Sequence, residues 1–146
     1  MLRIALISKS GPAGGGASMV ATQLAQKLNG RFNIDHWSGD TAPHPNRLRL
    51  HAPIFDEFVF RASRFGSRII GYSDFFSISP NLINKNKIQY DLIHVHDISG
   101  TISPFSFKWL FQKAPIIWTF HDCSPFTGGC IYPLDCTTYQ NQCGSC

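Results

Sequence analysis

Leu2-Arg3-Ile4-Ala5-Leu6-Ile7-Ser8-Lys9-Ser10-Gly11-Pro12-Ala13-Gly14-Gly15-Gly16-Ala17-Ser18 is the stretch from which the fold follows. Residues 2 to 8 form a near-continuous apolar run, the mark of a parallel strand buried on both faces. Beyond the glycines the period changes. Ala17, Val20, Ala21, Leu24, Ala25 and Leu28 recur at helical spacing, and Asn29-Gly30 supplies a stop. Phe32 to Trp37 reads as a second strand. Strand, glycine-rich turn, helix and strand make one βαβ unit, so the expected class is α/β, a parallel sheet with helices on both faces.

Farther along, residues 38 to 52 read as a loop containing Pro43 and Pro45. A helix is expected from Pro53, with Ile54, Phe55, Phe58, Val59, Ala62 and Phe65 on one stripe, and Pro80 opens a shorter one. Asp91 to Val95 reads as a strand, Ser103 to Phe111 as a helix and Pro115 to Phe120 as a strand. No internal repeat or low-complexity segment interrupts this order.

Composition bounds the function. At 146 residues the chain has the length of one domain able to bury a core. A 43% hydrophobic and 15% charged content fits a globular protein, and 12 phenylalanines suggest apolar surface intended for a partner. A net charge of +4 suits an anionic small ligand or an anionic membrane, whereas nucleic acid calls for a denser basic stripe; no nucleic-acid partner is expected. The N-terminal apolar run is too short for a secretory signal, and nothing approaches the ~20 apolar residues of a membrane span. A cytoplasmic location is expected, where five cysteines are reduced, metal-bound or catalytic rather than disulfide-paired.

The loop holding Gly14, Gly15 and Gly16 joins a strand to a helix. Backbone without side chains can approach a phosphate, and the free N–H groups of a helix start attract its charge. It is not a Walker loop, because no Gly-Lys-Ser/Thr follows, and with Met19 in place of a glycine it is a poor dinucleotide fingerprint. The alternative is a flexible turn that caps the helix.

Two strand ends carry the same polar tip. Asp91-Leu92-Ile93-His94-Val95-His96-Asp97 ends on His96 and Asp97, with His94 read as a packing residue inside the sheet. Thr119-Phe120-His121-Asp122 repeats the tip one βαβ unit later. Such pairs hydrogen-bond the hydroxyls of a sugar, bind phosphate or ligate a metal, and a purely structural role is the competing reading.

Cys130, Cys136, Cys143 and Cys146 follow with the spacing x5, x6 and x2. Gly128, Gly129, Pro133 and Gly144 permit the tight turns of a four-thiolate structural zinc site. Reduced thiols or a disulfide pair are the alternatives. Cys123 lies too near the His-Asp tip to join and is read as a pocket wall.

Together these segments resemble a known family. Asp91 to Asp97, Ile117-Trp118-Thr119-Phe120-His121-Asp122, Phe126-Thr127-Gly128-Gly129-Cys130, Tyr132-Pro133, Asp135-Cys136 and Cys143-Gly144 with Cys146 are similar to family 4 retaining glycosyltransferases. The closest-looking branch builds bacterial surface polysaccharides such as colanic acid, capsule or O-antigen. The resemblance spans essentially the whole chain and implies the N-terminal half of a GT-B fold. Residues 1–122 would be a Rossmann-like, acceptor-side domain and 123–146 a Cys-rich loop. It further implies a nucleotide-sugar donor with its diphosphate near Gly15 and Gly16. His121 would act at the donor sugar, and the acceptor would be a glycan or lipid-linked. No catalytic metal is implied, so any zinc would be structural. The family's second domain, with its basic pair and Glu-x7-Glu motif, is not in this sequence. The chain ends on Cys146 and is therefore expected to be the front half of an enzyme, inactive alone.

Two other classes compete. One is a non-catalytic, zinc-stabilised α/β interaction domain left by truncation. The other is an unrelated α/β enzyme, such as a nucleotide-binding hydrolase using the His-Asp tips, against which stand the missing nucleophile elbow and Walker loop and the lack of a supporting context for a metal-hydrolase His-x-His-Asp pair. Arg47, Arg49, Arg61, Arg64 and Arg68, beside the apolar stripe from Ile54 to Phe65, also suggest peripheral docking at the inner face of the cell membrane, with a solvated helix face as the alternative.

Overall fold

A computed structural model describes residues 1–39, 47–50, 62, 65–66, 69, 88–99, 101–103, 107–127 and 130–141. The strands are β1 (Arg3–Ser8), β2 (Asn33–Ser38), β3 (Leu48–Arg49), β4 (Leu92–Val95) and β5 (Ile116–Trp118). The helices are α1 (Gly16–Leu28), α2 (Phe107–Phe111) and α3 (Ser124–Thr127), with 3-10 turns at Pro12–Gly14 and Thr138–Gln140. All strand pairs are parallel, in the order β3-β2-β1-β4-β5. The order reverses between β1 and β4. Open parallel sheets bind ligands in the crevice outside the strands' carboxyl ends at such a reversal.

The faces follow from strand alternation. Ala5 and Ile7 of β1 sit beside Ile93 and Val95 of β4, and with Trp37 they build one core against Phe107 and Leu110 of α2. Leu6 points the other way, onto Ala21 and Ala25 of α1. Those alanines are small enough to bring the helix close, and Leu6 is 1% exposed. Burying such a side chain contributes roughly 1.5–3 kcal/mol. Helices therefore cover both faces. Because Ile93 and Val95 face α2, His94 and His96 project toward the α1 face.

Elements read from the sequence recur within a residue or two at most ends. α1 stops as expected, the Asn29 N–H bonding the Ala25 carbonyl. Three readings change. The loop expected at 38 to 52 contains β3, which pairs Leu48 and Arg49 with Trp37 and Ser38. The helix expected from Ser103 is helical over Phe107–Phe111; Ser103 itself is not helical, residues 104–106 lie outside the described residues, and Thr101 and Ile102 form a turn bonded to Ile98. The strand expected over Pro115 to Phe120 is confined to β5. The helix expected from Pro53 lies outside the described residues except at Ala62, Phe65, Gly66 and Ile69, which are helical. The short helix at Pro80, and Arg61, Arg64 and Arg68 of the basic stretch, lie outside them entirely. Among the described residues no helix is long and apolar enough to cross a membrane.

Candidate functional site

The carboxyl edge begins with the glycine loop. Gly15 is the N-cap of α1 at φ +104°, a conformation that L side chains rarely adopt. A Cβ on Gly14 would overlap the Ser10 side chain, so this glycine serves close packing. No side chain caps α1 and no acidic residue lies in its first turn. Met19 is the first residue to donate back, to the Gly15 carbonyl at 2.9 Å. The N–H groups of Gly16, Ala17 and Ser18 have no partner among the described residues, leaving the positive end of the helix dipole open.

Beside it lie the tips of the central strands. The His96 N–H bonds the Ile7 carbonyl at 2.9 Å, and Lys9 Nζ reaches Ser99 Oγ at 3.2 Å, so the ends of β1 and β4 are adjacent. Thr119 N–H bonds the Val95 carbonyl at 2.8 Å and carries the chain on to His121. Trp118 Nε1–H donates to the His96 carbonyl at 3.0 Å. The structure therefore brings Gly14, Gly15, Gly16, His96, Asp97, His121 and Asp122 to one edge of the sheet.

The two His-Asp tips share one geometry. Asp97 Oδ1 accepts from Ser99 N–H at 2.9 Å and Ser99 Oγ at 2.7 Å; Asp122 Oδ1 accepts from Ser124 N–H at 2.8 Å and Ser124 Oγ at 2.6 Å. Each aspartate closes an Asx turn on the serine two residues on, which fixes the histidine before it. The signal lies in the sequence as a repeated His-Asp-x-Ser, whose serine shows its part only once the turn is formed.

The imidazoles form a row. His96 Nδ1 and His121 Nε2 are 2.9 Å apart, their rings 5.2 Å between centroids and inclined at 27°. His94 lies 4.4 Å from the His96 ring and pairs with Thr119 Oγ1 at 2.8 Å, so it packs as expected while extending the row. Burial, and then the neighbouring His94, His121 and His36, push His96 down to about 4; burial followed by His121 lowers His94 as well. Near neutral pH both are uncharged rings, suited to hydrogen-bonding neutral hydroxyls.

His36, unremarked in the sequence, belongs to the same face. Its Nε2 lies 2.8 Å from Ser8 Oγ. The Ser8 hydroxyl donates its one proton to the Ser10 carbonyl at 2.8 Å, so His36 donates to Ser8. Ser8 is fully buried, which removes this Ser-His pair as a nucleophile and base. Beyond His36, a cavity of about 190 Å³ is lined by Pro12, Thr22, Gln26, Asn29, Ile34 and Arg47 among others.

Among the described residues no three His, Cys, Asp or Glu side chains are grouped to hold a metal ion. Of the four thiols read as zinc ligands, Cys130 is half-buried and Cys136 exposed; Cys143 and Cys146 lie outside the described residues. Two hydrogen bonds from Thr138 hold the Cys136 thiol below its ordinary range. Cys123 N–H bonds the Ile131 carbonyl, and Thr127 Oγ1 lies 2.9 Å and 2.8 Å from the Cys123 and Cys130 carbonyls, which closes the start of the loop.

Comparison with family models, with curated proteins and with solved structures finds no match to this chain.

Proposed function

We propose that the chain is the acceptor-side half of a retaining glycosyltransferase that moves a sugar from a nucleotide-sugar donor to a glycan or lipid-linked acceptor in surface-polysaccharide synthesis. One observation carries the reading. An uncapped helix start behind three glycines and a pair of imidazoles share one edge of the sheet, where the strand order reverses. The order β3-β2-β1-β4-β5 supports a Rossmann-like domain and, with the resemblance above, the N-terminal half of a GT-B fold.

In this reading the N–H groups of Gly16, Ala17 and Ser18 take the donor diphosphate, whose charge the helix dipole favours. His121 hydrogen-bonds a hydroxyl of the donor sugar. Asp97 and Asp122 hold the two tips, each keeping its second carboxylate oxygen for an acceptor hydroxyl. The facing domain completes the cleft, because half a cleft leaves donor and acceptor unpositioned.

The cysteine set is proposed as a structural zinc site in the same protein. The lowered thiol of Cys136 suits it, since zinc binds thiolate. Metal analysis of protein purified without a histidine tag should find zinc; its absence, with four freely titrating thiols, rejects the site.

The test of transfer is kinetic. In protein carrying both halves, His121→Ala should lower kcat about 10²-fold with the fold intact, the scale of losing one well-aimed hydrogen-bond donor. The 146-residue chain alone should transfer no sugar. Unchanged turnover in the His121→Ala protein removes His121 from the active site.

A further inference from the structure

Most of the buried polar groups in the described sheet have a protein partner, and His96 Nε2 stands apart. The ring is 2% exposed, its Nδ1 bonds His121, and its Nε2 has no hydrogen-bond partner among the described residues. A neutral imidazole has one N–H and one lone pair, so the proton is on one of these two nitrogens. If it were on Nε2, a buried N–H would be orphaned, the rarer and costlier fault in folded proteins. If it is on Nδ1, that N–H donates to His121 and only a ring lone pair is left bare.

We infer that His96 is a positioning residue that sets the tautomer of His121: His96 Nδ1–H donates to His121 Nε2, so the His121 proton sits on Nδ1 and that ring meets its ligand as a hydrogen-bond donor.

The surroundings hold this arrangement. Burial and the three neighbouring imidazoles keep His96 uncharged near neutral pH, so it has a single proton to place. Trp118 Nε1–H fixes the His96 carbonyl, and the Ile7 carbonyl fixes its N–H, so the backbone carrying the ring is tied on both sides. Asp122 bends the chain directly after His121. Two imidazoles in contact thus behave as one oriented donor. Such a donor matches an electron-rich oxygen, a sugar hydroxyl in the glycosyl-transfer reading. The inference rests on that reading only for what His121 faces.

The experiment records long-range ¹H–¹⁵N correlations of the ring nitrogens in the uniformly ¹⁵N-labelled 146-residue chain at neutral pH. His121 should show a protonated Nδ1 and a bare Nε2, with a scalar coupling across the bond to His96 Nδ1. His96→Phe should return His121 to the Nε2–H form that a solvated histidine favours. His96→Asn, whose amide N–H occupies the place of Nδ1, should restore the Nδ1–H form. A wild-type His121 protonated on Nε2, or no change in His96→Phe, overturns the inference. The wild-type coupling decides the matter even if a variant fails to fold. UDP-glucose is then added, as the nucleotide-sugar probe, to protein carrying both halves. Shifts at His121 support the donor role, whereas a silent His121 with the stated tautomer defeats the sugar reading and leaves the positioning intact.

Discussion

Two polar networks sit on opposite faces of the same sheet, and they are finished differently. On the α2 face, Arg3 bonds Asp35 through Nε and Nη2, both at 2.9 Å; Tyr90 OH donates to Asp35 at 3.0 Å; and Trp37 Nε1–H donates to Tyr90 at 3.0 Å. In that chain each bond leads to the next partner. On the α1 face, among the described residues, His96 Nε2 is left without a partner, and so are the N–H groups at the start of α1 on the same edge of the sheet. A buried polar group left open costs stability. The closed network completes itself within the fold, whereas the open one leaves polar atoms unsatisfied among the described residues.

Acidification should separate the two faces most strongly. His96 has a folded value near 4 against an ordinary 6.5, so unfolded chains take up its proton first as pH falls. Its contribution is present above pH 6.5 and is lost between there and pH 4, about 3 kcal/mol in all. His94, also lowered, adds in the same direction. The Tyr90 phenol, raised by burial, does nothing in that window; its share is lost only as pH climbs past its ordinary value of 10.0. Denaturant unfolding at stepped pH measures this. If His96→Phe keeps the full acid slope, the open face is not its source.

Tyr90→Phe tests the closed face. It strands the Trp37 N–H and takes a donor from Asp35, and should cost about 1–3 kcal/mol in urea unfolding. A loss below a few tenths would mean that water already serves that network.

The smallest effect should come from the tips. Asp97→Ala and Asp122→Ala each release two bonds to a nearby serine, and each should cost about 1 kcal/mol, read as a small fall in Tm. Equal losses fit their shared geometry. A greater loss at one would show that this carboxylate does more than hold its turn.

Much of the architecture was legible from local pattern. The apolar run of β1 and the 3.6-residue spacing of α1 express burial on two faces and on one stripe, which needs no knowledge of neighbours. β3 was not legible: two residues in a proline-containing loop become a strand only because β2 presents an open edge. His36 escaped notice because a histidine in a half-polar strand looks like any other polar residue until Ser8 is beside it.

Apart from β3, the order of the described elements, the edge on which the glycines and both His-Asp tips fall, and the shared face of His94 and His96 were determined by the sequence alone. Each depends on periodicity and on parallel strands running the same way. Only the tertiary structure decided which ring nitrogen meets which. His96 and His121 are 25 residues apart, and their 2.9 Å contact exists because β4 and β5 pair in the register that sets Val95 beside Trp118. A shift of one residue would turn His121 to the other face, since side chains alternate along a strand while the sequence repeats the same two letters either way.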